Sequence, residues 1–197
     1  MQIKEVQERL IKIADVINEN KSYLQDLDRE IGDGDHGFNM NRGFSFVKED
    51  MEGDFKDLKA LFMKISMDLI SKVGGASGPL YGTFFMKFAQ NLEGKEDFNR
   101  EDFNLAFKNG LQGVKQRGKA EISDKTMVDV LEPVSLGLEE GKSFEEIIKL
   151  AEEKKDYTKD LVAKKGRASY LGERSKGHID PGAMSSYLII KTGLENL

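Results

Sequence analysis

The chain has 197 residues, enough for one domain spanning the whole length with a core of its own. A formal net charge of -5 excludes a broadly basic face for a nucleic-acid backbone, so any phosphate site must be local. With no Cys there are no disulfides, no thiolate chemistry and no zinc-thiolate sites. The polar start Met1 to Val6 leads into an amphipathic pattern and not a signal or membrane segment, so a cytoplasmic location without membrane contact is expected.

From the N-terminus, Ile3, Val6, Leu10, Ile13 and Ile17 recur at three- and four-residue steps and predict a helix with one apolar stripe. The same spacing returns at Met40, Phe44, Val47 and Met51, at Leu58, Leu61, Ile65 and Leu69, and at Tyr81, Phe84, Phe85 and Phe88. Further stripes follow at Phe103, Phe107, Leu111 and Val114, at Val130, Leu131, Val134 and Leu138, and at Phe144, Ile147, Ile148 and Ala151. Ser143 with Glu146 forms a capping box before the last of these. The final helix opens with Asp180 as cap and Pro181 in the first helical position. No run of alternating β-branched residues bounded by hairpin turns occurs. The expectation is an all-α, up-and-down barrel or bundle of about eight antiparallel helices.

Four connections are unusually rich in glycine and small polar or charged residues: Asp28 to Gly37, Val73 to Pro79, Gly118 to Thr126 and Lys165 to Gly182. They follow the first, third, fifth and seventh helices. Loops separated by two antiparallel helices emerge at the same end, so all four should converge on one rim.

In the first loop Asp28, Asp33 and Asp35 lie in a turn that Gly32 and Gly34 allow to fold tightly, which can aim several carboxylate oxygens at one place. Unpaired they would repel each other, and a hard divalent cation relieves that repulsion. Magnesium leaves coordination positions free for phosphates, so two such ions would make a phosphate clamp. A calcium loop fits less well, because Gly37 stands where another ligand is wanted. The bland alternative is a solvated turn with helix-capping aspartates.

His36, Gly37, Phe38 and Asn39 open a helix whose N-terminus can face an anion, with His36 either a phosphate contact or a residue satisfied by the backbone. The segment Gly74-Gly75-Ala76-Ser77-Gly78-Pro79 can wrap a phosphate with backbone donors and the Ser77 hydroxyl, although the chain has no P-loop and no P-loop lysine. Met127 is either core filler or an apolar surface for an adenine. Lys164, Lys165, Arg167, Arg174 and Lys176 make the fourth loop the most basic stretch, and Arg167 is the choice for a cation facing a transferring phosphoryl group. A solvated charge run is the alternative.

Asp33-Gly34-Asp35-His36-Gly37, the Gly74 to Pro79 segment, Gly118-Lys119-Ala120, Asp124-Lys125-Thr126-Met127, Gly166 to Ser175, His178 and Asp180-Pro181-Gly182-Ala183 together resemble the L subunits of bacterial dihydroxyacetone kinases. The motifs sample nearly the whole chain in order, except 92–104 and 139–162. The resemblance implies an eight-helix barrel binding ADP and two Mg²⁺ ions at one rim. It places the metal ligands on Asp28, Asp33 and Asp35. It places the nucleotide contacts on His36, Gly37, Phe38, Asn39, Ala76, Ser77, Gly118, Met127, Arg167, Asp180, Pro181 and Gly182.

In the phosphoenolpyruvate-dependent members of that family, ADP stays on this subunit as a coenzyme and is rephosphorylated by a phosphohistidine protein of the phosphotransferase system, the M subunit. The ATP so formed phosphorylates dihydroxyacetone held on a separate K subunit. A chain of this length resembles that arrangement more than the longer ATP-dependent kinases, and a homodimer stands open. Competing readings are the nucleotide half of an ATP-dependent kinase for another sugar or a fatty acid, a non-catalytic regulatory module with a structural metal, and a phosphohistidine carrier using His36 or His178.

Overall fold

The computed structural model describes residues 1–197 as helices joined by loops, with a single isolated bridge between Gln2 and Asp97 as its only extended pairing. The helices are α1 (Ile3–Glu19), α2 (Lys21–Ile31), α3 (His36–Asp50), α4 (Leu58–Lys72), α5 (Ser77–Phe88), α6 (Arg100–Gly118), α7 (Val128–Glu139), α8 (Phe144–Tyr157) and α9 (Pro181–Leu194). Short 3-10 segments cover Ala89–Asn91, Thr158–Asp160 and Arg167–Ser175. Each predicted apolar stripe is the buried face of one of these helices.

Nine α-helices stand where about eight were expected, because the first stave bends at Asn20. Its φ of -92° and ψ of 6° leave the helical region, and its side-chain amide donates to the Val16 carbonyl at 2.8 Å. Asn competes with the helix for backbone groups in this way. Since α3 packs back along both α1 and α2, the two halves act as one stave, and the alternation of directions is unchanged. Each later helix packs on its predecessor, and α9 packs on α1, so eight staves close into a barrel. One contiguous apolar cluster fills it. It includes a chain of edge-to-face and tilted rings running from Phe62 through Phe88 and Phe103 to Phe144, with Phe84 joined to it at Phe88.

The two ends of the barrel are finished differently. At one end the connections are knitted together: the Met1 ammonium donates to Phe98, the Ile3 N–H to Glu96, the Leu58 N–H to Lys95, and the Arg100 guanidinium to Lys142. Here α4, α6 and α8 carry their own caps, with Asp57, Asn99 and Ser143 accepting from the N–H groups of Ala60, Asp102 and Glu146. At the other end α3 and α5 begin at Asp35 and Ala76 with no side-chain cap of their own. A helix that begins without a cap leaves first-turn N–H groups without a local acceptor, whereas α9, which starts at the same end, is capped by Asp180.

Candidate active site at the open rim

The four glycine-rich loops meet at that end around a cleft of about 510 Å³. The polar residues in its wall include Asp28, Asp33, Asp35, Asn39, Ser77 and Thr126, and its cations include Arg117, Lys165 and Arg167. The N-termini of α3, α5 and α9 all reach it. In the first turn of α5 the Ser77 and Gly78 N–H groups have no partner within the chain, and in α3 the same holds for Gly37 and Phe38. An anion is the natural partner for such groups.

Asp28, in the last turn of α2, caps α3 from outside. One of its carboxylate oxygens accepts from the Asp35 N–H at 2.8 Å and the His36 N–H at 3.1 Å. The other oxygen lies over Gly32, where any β-carbon would collide with it. Burial raises the Asp28 pKa, the two N–H groups lower it, and the charge of Asp33 raises it again. Gly37 meets the backbone of Lys21 and Gln25 so closely that no side chain fits, which seats α3 against α2.

His36 is buried, with Nδ1 3.0 Å from the Ser77 hydroxyl and Nε2 3.0 Å from the Ser185 hydroxyl. Ser185 also meets the Tyr81 hydroxyl at 2.8 Å, and Tyr81 reaches the Gly182 carbonyl at 3.1 Å. This chain of hydroxyls joins α3, α5 and α9 beneath the cleft. Burial pulls the His36 pKa down to about 4, so the ring is neutral and committed to its two serines.

The third loop is held by three buried groups. Asp129 accepts from the N–H groups of Ser123 and Thr126 at 2.5 and 2.8 Å, and Asp124 accepts from the Glu121 N–H at 2.9 Å. Lys125, almost fully buried, donates to the carbonyls of Thr158, Leu161 and His178. In the fourth loop Arg167 extends to Asp33 at 2.9 Å. Asp180 caps α9 through the Ala183 N–H at 2.8 Å, and burial pushes its carboxyl up to about 7.

Of the residues singled out from the sequence, Asp28, Asp33, Asp35, His36 and Asn39 line the cleft on one side, with Ala76, Ser77 and Gly118 on the next two loops. Met127, Arg167, Asp180, Pro181 and Gly182 complete the wall. Gly37 and Phe38 do not line it: Gly37 is turned into the α2 contact, and the Phe38 ring is 55% exposed outside. Met127 belongs to the core and packs close to Gly182 while contributing to the wall. His178 stands away from the cleft wall, 3.9 Å from Glu30, and His36 has no free ring nitrogen. Neither is placed as a phosphoryl carrier. Arg117 and Lys125 carry no signal in local spacing, and both lie in the wall.

The three aspartates share this wall without forming a ready-made ligand cluster, contrary to the expectation that they aim at one point. Asp28 is engaged with the α3 N-terminus, Asp33 with Arg167, and Asp35 faces solvent. The donor set nonetheless fits a hard cation. These are carboxylates of one short turn, Asp33 disfavours ionisation of Asp28, and one Asp28 oxygen is kept clear over a glycine. A divalent ion would relieve that repulsion.

A family model described as the DAK2 domain matches residues 30–195. The ADP-binding subunit DhaL of PEP-dependent dihydroxyacetone kinase 1 from Listeria innocua is 47% identical over 180 residues, covering 91% of this chain and 89% of that protein. The corresponding Escherichia coli subunit is 45% identical over 185 residues, covering 89% and 88%. Among solved structures, the dihydroxyacetone kinase of C. freundii superposes with a TM-score of 0.78 at 26% identity over 98% of this chain, which spans 34% of that longer one. The same enzyme with AMP-PNP and Mg²⁺ gives a TM-score of 0.77 at 25% identity. With the family model spanning most of its length and these subunits matching about nine-tenths of it at 45–47% identity, this chain belongs to the DAK2-domain family, among the ADP-binding subunits of PEP-dependent dihydroxyacetone kinases.

Proposed function

We propose that residues 1–197 act as one nucleotide-carrying unit that holds ADP and ATP in the rim cleft with two magnesium ions and delivers the terminal phosphoryl group to dihydroxyacetone on a separate K-type subunit. ADP remains on the chain and is rephosphorylated there by a phosphohistidine protein of the phosphotransferase system. The observation that carries this reading is the meeting of the α3 and α5 N-termini, Asp28 with Asp33 and Asp35 of the following turn, and Arg167 at a single cleft. No helix of the chain is long and apolar enough to cross a membrane, which agrees with a partnership among cytoplasmic subunits.

The open Ser77 N–H at the start of α5 binds phosphate oxygens, and the glycines of the second loop let the backbone approach them. Asp28, Asp33 and Asp35 would hold magnesium, which when bound supplies neutralising charge between these carboxylates and the phosphates. Arg167 leaves Asp33 for the phosphoryl group as negative charge spreads over its oxygens. In the transfer the terminal P–O bond of ATP breaks as a bond forms to the substrate hydroxyl oxygen. His36 is locked between two serines and is not free to take the hydroxyl proton, so that proton leaves on the side of the subunit holding the substrate.

Native mass spectrometry of the purified protein tests the reading. The expected mass includes one ADP and two magnesium ions, and added ATP does not freely displace the ADP. Rapid turnover with ATP and a K-type subunit alone would count against the coenzyme role. Undiminished transfer by Asp33→Asn in the reconstituted system would remove the phosphate clamp.

A further inference from the structure

Lys125 is the most deeply buried cation in the chain, 1% exposed and in left-handed backbone conformation at φ 61°. Its ammonium donates to three main-chain carbonyls: Thr158 at 2.7 Å, Leu161 at 3.2 Å and His178 at 2.6 Å. Leu161 and His178 are the two ends of the basic loop that carries Lys165 and Arg167. The neck is also crossed by the Gly177 N–H on the Lys159 carbonyl at 2.8 Å and by the Asp180 N–H on the Thr158 hydroxyl at 3.0 Å. The Ala163 N–H on the Ser175 hydroxyl at 2.9 Å and a partly exposed Lys164–Asp124 ion pair at 3.7 Å add to these, and Lys125 is the most deeply buried charge among them. Burial disfavours the charge on Lys125, while Asp129, Asp160 and Asp180 act to keep it.

We propose that Lys125 is a positioning residue: its ammonium serves as an internal cation that closes the neck of the Arg167 loop and thereby sets how tightly the cleft holds nucleotide. A loop whose ends are tied has far fewer conformations to lose when its tip orders on a ligand. One side of the neck is two residues from Asp180, the cap of α9, so the same three bonds fix that helix start in the cleft wall. A lysine on a strained turn is an expensive way to fill space. Three carbonyls converging on one ammonium are instead the donor set of a monovalent-cation site with the cation built into the chain.

This inference rests on the reading of the cleft as a nucleotide site, and the test separates the two. Amide hydrogen exchange over 161–178 in nucleotide-free protein reports the neck alone, and calorimetric titration with Mg²⁺ and ADP reports its effect on the cleft. In Lys125→Met, which keeps the apolar stem, exchange over that loop accelerates while the far-end amides of 92–99 are unaffected, and ADP affinity falls by about tenfold or more. In Lys125→Ala, ammonium or methylammonium restores both protection and affinity in a saturable way, and tetramethylammonium at equal ionic strength does not. Folding of the alanine variant only with ammonium present would support the same conclusion. Unchanged exchange in Lys125→Met overturns the neck. Faster exchange with unchanged ADP affinity, or no response to ammonium, overturns the positioning role. A wild-type protein that binds no ADP would sink the reading of the cleft, and the exchange measurement would still decide the neck.

Discussion

The Arg167 guanidinium lies 2.9 Å from the Asp33 carboxylate, joining the fourth loop to the first across the mouth of the cleft. The Arg167 side chain is 71% exposed, so water screens the pair and it contributes little to folding. Both partners are therefore free to exchange it for phosphate and metal. Arg167→Ala and Asp33→Asn are expected to alter stability by less than about 1 kcal/mol, yet each should slow phosphoryl transfer, for Arg167 by a factor on the order of 10³. Thermal unfolding beside a reconstituted transfer assay checks this. Marked destabilisation with transfer intact would make the pair structural.

Gly32 is required for space. A β-carbon there collides with the Asp28 oxygen that is free of hydrogen bonds, so Gly32→Ala must push that carboxylate aside. The expected result is a clear loss of magnesium-dependent ADP binding by calorimetry, with a stability change of roughly 1 kcal/mol, because the site is exposed and can relax. Ser at 32 should behave as Ala does. Unaltered magnesium dependence in Gly32→Ala would show that Asp28 serves only as the cap of α3.

Much of this was legible in the chain because the relevant signals are local or periodic. The apolar stripes mark the inner faces of the staves, Ser143 with Glu146 and Asp180 with Pro181 mark two helix starts, and counting helices brings the four loops to one rim. What could not be read depends on distant partners. Asp28 caps α3 from seven and eight residues away, beyond the local range of a capping motif. The ring of His36 is committed by Ser185, 149 residues later, so its sequence position beside an acidic turn gave no hint that it is neutral and locked. Lys125 reads as one more charged loop residue until the carbonyls of a separate loop surround it. The break at Asn20 escaped because the apolar stripe on either side is strong enough for one continuous helix.

His36 and Asp180 set opposing pH dependences in the metal- and nucleotide-free protein. The His36 pKa falls from 6.5 to about 4 on folding, so between those values the unfolded chain binds the extra proton. Its contribution is fully present above about pH 6.5 and is lost as pH falls toward 4. The Asp180 pKa rises from 3.8 to about 7, so the folded chain keeps that proton, and its contribution is present at low pH and lost as pH rises through 7. Between pH 4 and 6.5 the two slopes oppose each other. Asp180→Asn keeps an oxygen to cap Ala183 and removes one slope, so its melting temperature should climb more steeply with pH over this window than that of the wild type. Parallel curves would show that Asp180 ionises normally.

Phe84 separates the stability of the barrel from the chemistry of the rim. It is 7% exposed, meets Phe85 and Phe107 edge-on at centroid distances of 5.4 and 5.3 Å, and lies so close to Gly110 that a β-carbon there would stand 2.8 Å from its ring. Phe84→Ala leaves a cavity among rings that cannot collapse freely, with an expected cost of about 3–5 kcal/mol. Gly110→Ala presses directly on the same ring and should cost about 1–3 kcal/mol. Neither residue lines the cleft, whereas Tyr81 and His36, joined through Ser185, do. At temperatures where each variant is folded, ADP affinity should therefore match the wild type, as measured by denaturant unfolding and calorimetry on the same samples. Affinity falling in step with stability would mean that the hydroxyl network transmits packing changes to the rim, because the cleft would then be shaped by the barrel and not by its own loops.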